Sequence, residues 1–365
     1  MRGGSSKGPF FLATDLPADI STRDRVLLAV MGSPDRRQID GLGGAHPLTS
    51  KVGIVSRSST PGVALDFLFA QLQPDNDTVD TTPNCGNMLA GVVPFALERG
   101  LIDAQGDRTT VRVLTLNTGM QCDITVETPL EQGQRRVRYD GDARIDGVPG
   151  TSAPITINFL DTAGSVCSSL LPTGKVRDVV TVDGDGIAPF TLAVTCIDNG
   201  MPLVLFHASD LGCTGYETVA ELNANVALKA RIEALRLQTG QLMGLGDVRS
   251  KNYPKMTLVA PPVAGGSLCT RSFIPHVCHD AIGVLAAVTV GTACVLKGSV
   301  CDGVAVMQPG QTTVVSVEHP TGEFSVELGL DPADPQKVTR AALLRTARLI
   351  MRGEVMVPAS VWDGR

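Results

Sequence analysis

The sequence predicts an α/β (α+β) protein with two pseudo-symmetric domains, each a curved mixed sheet wrapped around a central apolar helix. Its 365 residues exceed the length, roughly 250–300 residues, at which a single hydrophobic core stops growing. Hydrophobic residues make up 43% of the chain but aromatic residues only 4%, and 39 Gly with 23 Pro require many turns. The third observation is an order of elements that occurs twice along the chain.

The first copy of this order begins with a Gly-rich turn and a short apolar strand within Pro9–Pro17, closed by Asp15 and Pro17. A capped amphipathic helix follows at Ser21–Met31, and a second strand runs over Lys51–Val55. Cys85 then leads into a helix over Asn87–Arg99, which is apolar nearly all round and therefore has to be buried. Alternating residues predict further strands at Val63–Gln71, Val111–Leu116 and Gln134–Tyr139.

The second copy has the same order in the second half of the chain. A turn at Gly200 precedes an apolar strand at Pro202–Phe206, and a helix is predicted at Val219–Thr239. A strand that includes Lys255 corresponds to the strand of Lys51. Cys278 corresponds to Cys85, because each Cys leads into an apolar helix. Four matches in the same order favour an internal duplication.

The repeat predicts the bounds of the two domains. The first domain covers residues 1–175 and the second covers residues 190–349, with the linker between Pro149 and Val194. A last strand-like segment at Val355–Val361 predicts that residues 350–365 return to the first domain.

Composition and charge exclude several classes of function. The formal charge of −6 comes from interspersed acidic and basic residues, which leaves no basic stripe for nucleic acid and no polybasic membrane anchor. The most apolar stretch, Ala281–Leu296, is shorter than the roughly 20 residues that span a bilayer. Nine Cys without a CxxC pair indicate reduced thiols and a cytoplasmic location. The expected partner is a small molecule.

Cys85 is the first candidate for chemistry, in the run Asn84-Cys85-Gly86-Asn87 directly before a predicted helix. The free N–H groups at a helix start favour both a thiolate and a bound carboxylate. The alternative is that Cys85 is a small buried hydrophobic residue, as most cysteines are. Cys278 has the matching position in the second half.

Lys51 is the second candidate, because it begins a strand directly before apolar residues. Desolvation of an ammonium lowers a lysine pKa toward the range that is useful for proton abstraction. The alternative, a surface lysine that extends from a strand end into water, is favoured by these residues alone.

Other features carry less chemistry. His276, Cys278 and His279 are too few and too closely spaced to predict a zinc site. Arg2 and Arg271 each lie beside a motif, and a guanidinium binds carboxylates well, although most arginines are solvated. The glycine pairs lack the spacing of a nucleotide-binding loop, so we expect no bound nucleotide.

Several motifs together resemble the methylaconitate isomerase/oxalomesaconate tautomerase family, whose members are relatives of diaminopimelate epimerase. The resemblance extends over essentially the whole chain. The motifs that carry it are Met1-Arg2-Gly3-Gly4-Ser5-Ser6-Lys7-Gly8, Met31-Gly32-Ser33-Pro34-Asp35, Gln38-Ile39-Asp40-Gly41-Leu42-Gly43-Gly44, Thr49-Ser50-Lys51, Asn84-Cys85-Gly86-Asn87, Arg144-Ile145-Asp146-Gly147-Val148-Pro149-Gly150, Arg271-Ser272-Phe273-Ile274-Pro275-His276 and Arg345-Thr346-Ala347-Arg348. Family members usually have a short strand-forming segment before the first motif, so we expect either a truncated start or a missing edge strand.

The resemblance implies a diaminopimelate epimerase-like fold and catalysis without cofactor or metal. It places the catalytic Lys and Cys on Lys51 and Cys85, with Cys278 and the carboxylate-binding Arg271 as weaker matches in the second half. The residues expected to bind a small polycarboxylate are Arg2, Ser5, Ser6, Gly86, Asn87, Arg271, Ser272, Cys278 and His279.

The implied activity is a proton shift, either keto–enol or 1,3-allylic, in an acid such as 4-oxalomesaconate from the degradation of gallate or protocatechuate. The compact run Met31–Asp40 favours this substrate within the family. Two alternatives stay open: an isomerase of 2-methylaconitate or aconitate in the methylcitrate pathway, and a non-catalytic tricarboxylate-binding protein. A homodimer is compatible with the sequence, which does not show whether two chains associate.

Overall fold

The computed structural model describes residues 1–184, 186–307 and 312–364. The chain forms two compact units: Met1–Leu160 together with Leu344–Arg365, and Asp161–Leu343. Residues 161–175, which the sequence prediction assigned to the first domain, belong to the second unit. The reason is the buried Asp198, whose carboxylate accepts hydrogen bonds from the amides of Val166 and Cys167 at 2.8 Å each.

The first unit is built on one mixed sheet and a small hairpin sheet. The main sheet has the strand order β11-β8-β7-β5-β4-β3, with β6 paired to β5, and the small sheet has the order β2-β1-β20. A separate hairpin pairs β9 with β10. The strands are β1 (Arg2–Gly3), β2 (Ser6–Lys7), β3 (Phe10–Leu12), β4 (Lys51–Arg57), β5 (Leu65–Leu72), β6 (Val79–Asp80), β7 (Arg108–Thr115), β8 (Gln121–Glu127), β9 (Leu130–Glu131), β10 (Gln134–Arg135), β11 (Ile155–Phe159) and β20 (Ala347–Arg348).

Three helices belong to the first unit: α1 (Ile20–Met31), α2 (Gly86–Leu89) and α3 (Val92–Glu98). In α1, the Asp19 carboxylate caps the start and Gly32 ends the helix at φ 76°, a left-handed conformation that suits glycine. The single helix predicted over Asn87–Arg99 is divided into α2 and α3. Pro94 explains the division, because its ring would clash with the carbonyl of Ala90 in a continuous helix.

Two predicted strands of the first unit are wrong. Of Gln134–Tyr139, only the exposed pair Gln134–Arg135 forms a strand. The last segment, Val355–Val361, is irregular, although its valines and Trp362 pack against the core cluster formed by α1 and β4. This segment is therefore held by side-chain burial and not by a ladder of backbone hydrogen bonds.

The second unit has a sheet of order β12-β13-β14-β15-β16-β17-β18-β19. Its strands and helices are β12 (Asp178–Gly184), β13 (Ile187–Asp198), β14 (Pro202–His207), α4 (Val219–Ala224), α5 (Val226–Leu242), β15 (Lys255–Ala260), β16 (Leu268–Phe273), α6 (Val284–Val295), β17 (Thr312–His319), β18 (Gly322–Asp331) and β19 (Asp334–Arg345). The predicted helix Val219–Thr239 is divided at Asn225, whose side chain caps α5 by accepting from the Leu228 amide at 3.0 Å.

The helix predicted to start at Cys278 starts at Val284 instead. The amide of Cys278 donates to Asn223 Oδ1 at 2.8 Å, and the amide of His279 donates to the Ser272 carbonyl at 2.8 Å. These bonds turn the chain back along the end of β16, so that α6 begins only after a further loop.

The two units have the same order of strand pairings. In the first unit, β3 pairs with β4 in parallel, β4 with β5 antiparallel, β5 with β7 in parallel and β7 with β8 antiparallel. In the second unit, β14, β15, β16, β17 and β18 follow the same sequence of parallel and antiparallel pairings. Within the described residues, no helix is both long enough and apolar enough to cross a bilayer.

Candidate active site

The β1–β2 hairpin is the centre of the candidate site in the first unit. Arg2 pairs with Lys7 and Gly3 with Ser6, while β20 adds a third strand on the other side of β1. Glycines at the turn and at the end of this hairpin allow close contact with neighbouring backbone. A Cβ added to Gly3 would lie 2.5 Å from the Asn87 carbonyl oxygen, which shows that β1 lies directly against α2.

The same hairpin also contacts the start of β4. A Cβ added to Gly8 would lie 1.7 Å from the carbonyl oxygen of Lys51 and 3.4 Å from Cε of Met88. The strand that carries Lys51 and the helix that follows Cys85 therefore both border residues of this hairpin.

Lys51 is the first residue of β4, and only 8% of its surface is exposed. Its ammonium donates to Oε1 of Gln71, the residue directly opposite on β5. The distance from Lys51 Nζ to the centroid of the Phe69 ring is 5.0 Å, which gives a cation–π contact. Within the described residues, Lys51 forms no ion pair. The structure therefore places an ammonium near the core with a neutral partner.

Cys85 occupies the N-cap position of α2, where its side chain forms no capping hydrogen bond, and it is partly exposed. The Asn84 side chain accepts from the Cys85 amide at 2.8 Å, which fixes the backbone just before the helix. The first-turn amides of a helix have no acceptor within it, so those of Gly86 and Asn87 are directed toward the helix start. α2 has only four residues, which weakens the dipole argument made from the sequence.

Asn87 joins three parts of the first unit. Its Nδ2 donates to Ser5 Oγ at 3.1 Å, and its Oδ1 accepts from Nε of Arg345 at 3.1 Å. A Cβ added to Gly4, which has φ 52°, would lie 2.1 Å from the same Oδ1. Because the amide has a donor on one side and an acceptor on the other, its orientation is fixed.

Ser6 is buried to 1% exposure, and its hydroxyl has no hydrogen-bond partner among the residues that the structure describes. Ser6 is opposite Gly3, and opposite residues of a hairpin project from the same face. Since the Gly3 side of this face touches α2, the Ser6 hydroxyl also faces α2. An unpaired buried hydroxyl at this place is available to a ligand.

Arg2, predicted to bind substrate, is used within the protein. Its Nη1 donates to the Gly4 carbonyl at 2.8 Å and to both the carbonyl and the hydroxyl of Thr346, while Nη2 donates to Ser152 Oγ at 3.3 Å. Burial, and to a smaller extent Arg348, lowers the Arg2 pKa. The guanidinium thus fixes the hairpin turn against β20 and the loop of Ser152.

In the second unit, the predicted residues lie around the end of β16. Arg271 is 8% exposed and donates from Nε to the Glu217 carbonyl and from Nη1 to the Thr270 carbonyl, at 2.8 and 2.9 Å. The hydroxyl of Ser272 hydrogen-bonds to that of Thr257 at 2.6 Å. Burial raises the pKa of the Cys278 thiol to about 11, although Arg271 opposes the change. Cys278 is therefore a protonated thiol near neutral pH, unlike the activated thiolate that a helix start favours.

His279 and Lys255 lie together at the approach to α6. The Ala281 amide donates to Nδ1 of His279 at 2.8 Å, so the neutral ring carries its proton on Nε2. Burial and the charge of Lys255 lower the His279 pKa, and burial lowers the pKa of Lys255 itself. A Cβ added to Gly283 would lie 3.4 Å from Lys255 Nζ. The sequence prediction matched Lys255 to Lys51 but gave it no place in the site.

Gln71 was also missed by the sequence prediction, which saw only a polar residue at the end of an alternating strand. Its position opposite Lys51 follows from the register of β4 and β5, which depends on the turn between them. No group of three or more His, Cys, Asp or Glu side chains suited to a metal ion occurs in the ranges 1–184, 186–307 and 312–364.

Comparison with known proteins gives full-length relatives. The chain is 56% identical over 357 residues to "(4E)-oxalomesaconate Delta-isomerase" of Novosphingobium sp. (strain KA1), covering 98% of this chain and 96% of that protein. It is 52% identical over 364 residues to "4-oxalomesaconate tautomerase" of Pseudomonas putida KT2440, covering 100% and 96%.

A solved structure of methylitaconate-delta-isomerase is 35% identical and superposes with a TM-score of 0.83, covering 99% of this chain and 95% of that one. This likeness confirms the predicted α/β fold class. The family model described as PrpF protein matches residues 1–358. The family resemblance predicted from the motifs is thereby confirmed: the chain belongs to the PrpF protein family.

Proposed function

We propose that this protein is an isomerase that moves a proton within 4-oxalomesaconate, as a keto–enol or a 1,3-allylic shift. The two relatives named for this acid match nearly the full chain at 56% and 52% identity. The relative named for the alternative acid, "2-methyl-aconitate isomerase" of Shewanella oneidensis, is more distant, at 35% identity over 389 residues. These identities favour 4-oxalomesaconate over 2-methylaconitate as the substrate.

The observation that carries the proposal is the environment of Lys51. A buried lysine usually pairs with a carboxylate, yet the Lys51 ammonium is held by the neutral oxygen of Gln71. A neutral partner allows the amine to give up and regain a proton without separating an ion pair. General acid–base catalysis requires a group of this kind.

In the proposed mechanism, one of Lys51 and Cys85 removes a proton from a carbon next to a carbonyl or a conjugated carboxylate. The electron pair of the broken C–H bond delocalises into an enolate or dienolate. The other residue then delivers a proton to a different atom, and the double bond moves with it. This shift needs only an acid and a base, so we propose no cofactor.

The substrate carboxylates need hydrogen-bond donors. In the first unit, the unpaired Ser6 hydroxyl, the Ser5 hydroxyl and the amides of Gly86 and Asn87 are the proposed donors. In the second unit, we propose Nη2 of Arg271 and Nε2 of His279, since their other nitrogens already have protein partners. Cys278 and Ser272 then act through packing, because the Cys278 amide and the Ser272 hydroxyl are already bonded.

The nine cysteines, all free, support a cytoplasmic location for this enzyme. A homodimer stays a prediction, which light scattering of the purified protein tests.

The decisive experiment is proton NMR of 4-oxalomesaconate in deuterated buffer, with and without enzyme. We expect enzyme-dependent deuterium incorporation and the appearance of one isomer. In 13C spectra of the same samples, a retained ketone carbon signal with a displaced C=C bond indicates the allylic shift, and replacement of the ketone carbon signal by an enol carbon signal indicates tautomerisation. If neither deuterium exchange nor isomer formation exceeds the enzyme-free rate, the proposal is excluded. A higher kcat/KM on 2-methylaconitate would favour the alternative substrate.

A further inference from the structure

Gln71 lies directly opposite Lys51 in the antiparallel pair of β4 and β5. Opposite residues project from the same face of a sheet, so the side chains of Lys51, at the start of β4, and of Gln71, on β5, extend toward the same space. The contact between Gln71 Oε1 and Lys51 Nζ is the only hydrogen bond that the Lys51 side chain makes with the described residues.

The other end of the Gln71 amide is fixed by backbone. Its Nε2 donates to the carbonyls of Pro47, Ser50 and Leu72 at 3.1, 3.2 and 2.8 Å. Turning the amide over would direct Oε1 at three carbonyl oxygens and the NH2 group at an ammonium. The oxygen is therefore held toward Lys51 by bonds that do not involve Lys51.

The neutrality of this partner also matters. A carboxylate at the same position would stabilise the ammonium and oppose loss of its proton, whereas a side chain without an acceptor would disfavour the ammonium. The other group against Nζ is the Phe69 ring, which is also uncharged. The nearest carboxylate by register is Asp80 of β6, opposite Gln71, and it accepts from the amide and hydroxyl of Thr82. Lys51 itself forms no ion pair with the described residues on β3, β5, β6 or the loop before β4. A neutral amide oxygen stabilises the ammonium less than a carboxylate does and more than a side chain without an acceptor does.

We infer that Gln71 is a positioning residue that aims the Lys51 amine and sets how readily it exchanges its proton. This inference rests on the proposed function of Lys51, and it assigns a role that no sequence motif carries. Gln71 acts through Lys51 and does not itself touch the reacting atoms.

Gln38 provides a matched control, because its side chain also holds the loop before β4. Gln38 is 2% exposed, and its Oε1 accepts from the Ala45 amide at 2.8 Å and from Ser50 Oγ at 2.9 Å. It thus holds the same loop before β4 without a contact to Lys51. A change at Gln38 disturbs the loop, and a change at Gln71 disturbs both the loop and the lysine.

The test compares kcat/KM against pH for the wild type and the variants Gln71→Glu, Gln71→Met and Gln38→Glu. In Gln71→Glu, the limb of the pH profile that reflects ionisation of Lys51 should move to higher pH by about one unit or more, because an adjacent carboxylate favours the ammonium. This direction is the same whether Lys51 is the base or the acid. In Gln71→Met the limb should move to lower pH, and kcat should fall about 10- to 100-fold because the amine is no longer aimed.

Opposite shifts in the two Gln71 variants, with a smaller shift in Gln38→Glu, support the inference. Shifts of equal sign, or a Gln38→Glu shift as large as that of Gln71→Glu, would overturn it, because a loop effect alone would then explain the data. Circular dichroism detects a disturbed fold in Gln71→Glu, where the new oxygen faces three carbonyls. In that case the direction of the pH shift in Gln71→Met still tests the inference.

A substrate-free measurement separates this inference from the proposed function. Lysine labelled with 13C at Cε is titrated by NMR in the wild type and in both Gln71 variants, with the Lys51 signal assigned through Lys51→Arg. If the protein does not turn over 4-oxalomesaconate, the proposed function fails, yet the titration still reports on Gln71. If the Lys51 titration is the same in all three proteins, the inference fails even in an active enzyme.

Discussion

The two units share a backbone plan but differ in what surrounds the equivalent lysine. β4 begins with Lys51 and β15 with Lys255, and each strand pairs in parallel with the strand before it. Lys51 faces the amide of Gln71, whereas continuing the β15–β16 register by one residue places Ile274 opposite Lys255. Lys255 forms neither a hydrogen bond nor an ion pair within the described part of the chain.

The cysteines differ in the same way. Cys85 is partly exposed and directly precedes α2, whereas Cys278 is 2% exposed and a loop separates it from α6. A duplicated fold thus keeps its strand pairings while the side chains diverge. The comparison predicts that the acid–base chemistry is concentrated in the first unit.

The largest expected effect separates the two lysines. Lys51→Ala should lower kcat by about 10²- to 10⁴-fold, the usual contribution of a general acid or base, while Lys255→Ala should mainly raise KM. Rates on 4-oxalomesaconate measured by NMR test this contrast. Equal losses of kcat would show that both units supply acid–base groups, and the proposed division would be wrong.

The two cysteines should differ next. Cys85→Ser should lower kcat by about 10- to 100-fold because a hydroxyl is a poorer proton donor and acceptor. Cys278→Ser should retain kcat and lose stability instead, since it places a hydroxyl at a buried position. Iodoacetamide followed by mass spectrometry gives an independent measure: Cys85 should be modified first, because the raised pKa and burial of Cys278 suppress its thiolate. Faster modification of Cys278 would contradict the comparison.

Part of the fold and of the candidate site was predictable from sequence, and the exceptions have physical reasons. The strand of Lys51 and the helix start after Cys85 were predicted because they are local features of the sequence, whereas the choice of Lys51 as a catalytic candidate came from the family resemblance. The division at Pro94 was also available locally, because a proline inside a helix removes an N–H and clashes with the preceding turn.

The role of Gln71 and the true start of α6 could not be predicted from local sequence. The role of Gln71 depends on a strand register, and nothing local distinguishes it from a solvent-facing polar residue of an alternating strand. The loop after Cys278 is fixed by Asn223, which precedes it by 55 positions in the chain. Such non-local contacts exist only once the fold is formed.

Two asparagines extend the comparison. Asn87 links Ser5 and Arg345 beside the candidate site, whereas Asn199 links Thr162 and Thr292 beneath α6. Replacing either with Leu removes two side-chain hydrogen bonds and should cost about 1–3 kcal/mol of unfolding free energy. Asn87→Leu should also lower kcat/KM about tenfold through loss of hairpin alignment. Urea unfolding and kinetics on both variants test this, and an activity loss in Asn199→Leu that matches Asn87→Leu would remove the distinction.

The smallest effect concerns the charge of Lys255. Burial lowers its pKa in the folded protein, so between the folded and unfolded pKa values the unfolded chain binds more protons, and stability rises with pH in that window. Below the folded pKa both states are protonated, and the full cost of burying the ammonium is present. Lys255→Met should therefore stabilise the protein most in that range, and its advantage should shrink as the pH rises through the folded pKa toward the unfolded value. Urea unfolding at neutral and alkaline pH measures this, with Lys297→Met, at an exposed lysine, as the control. An advantage of Lys255→Met that grows with pH would mean that the ammonium is stabilised in the folded state, and that Lys255, like Lys51, has a partner in solution.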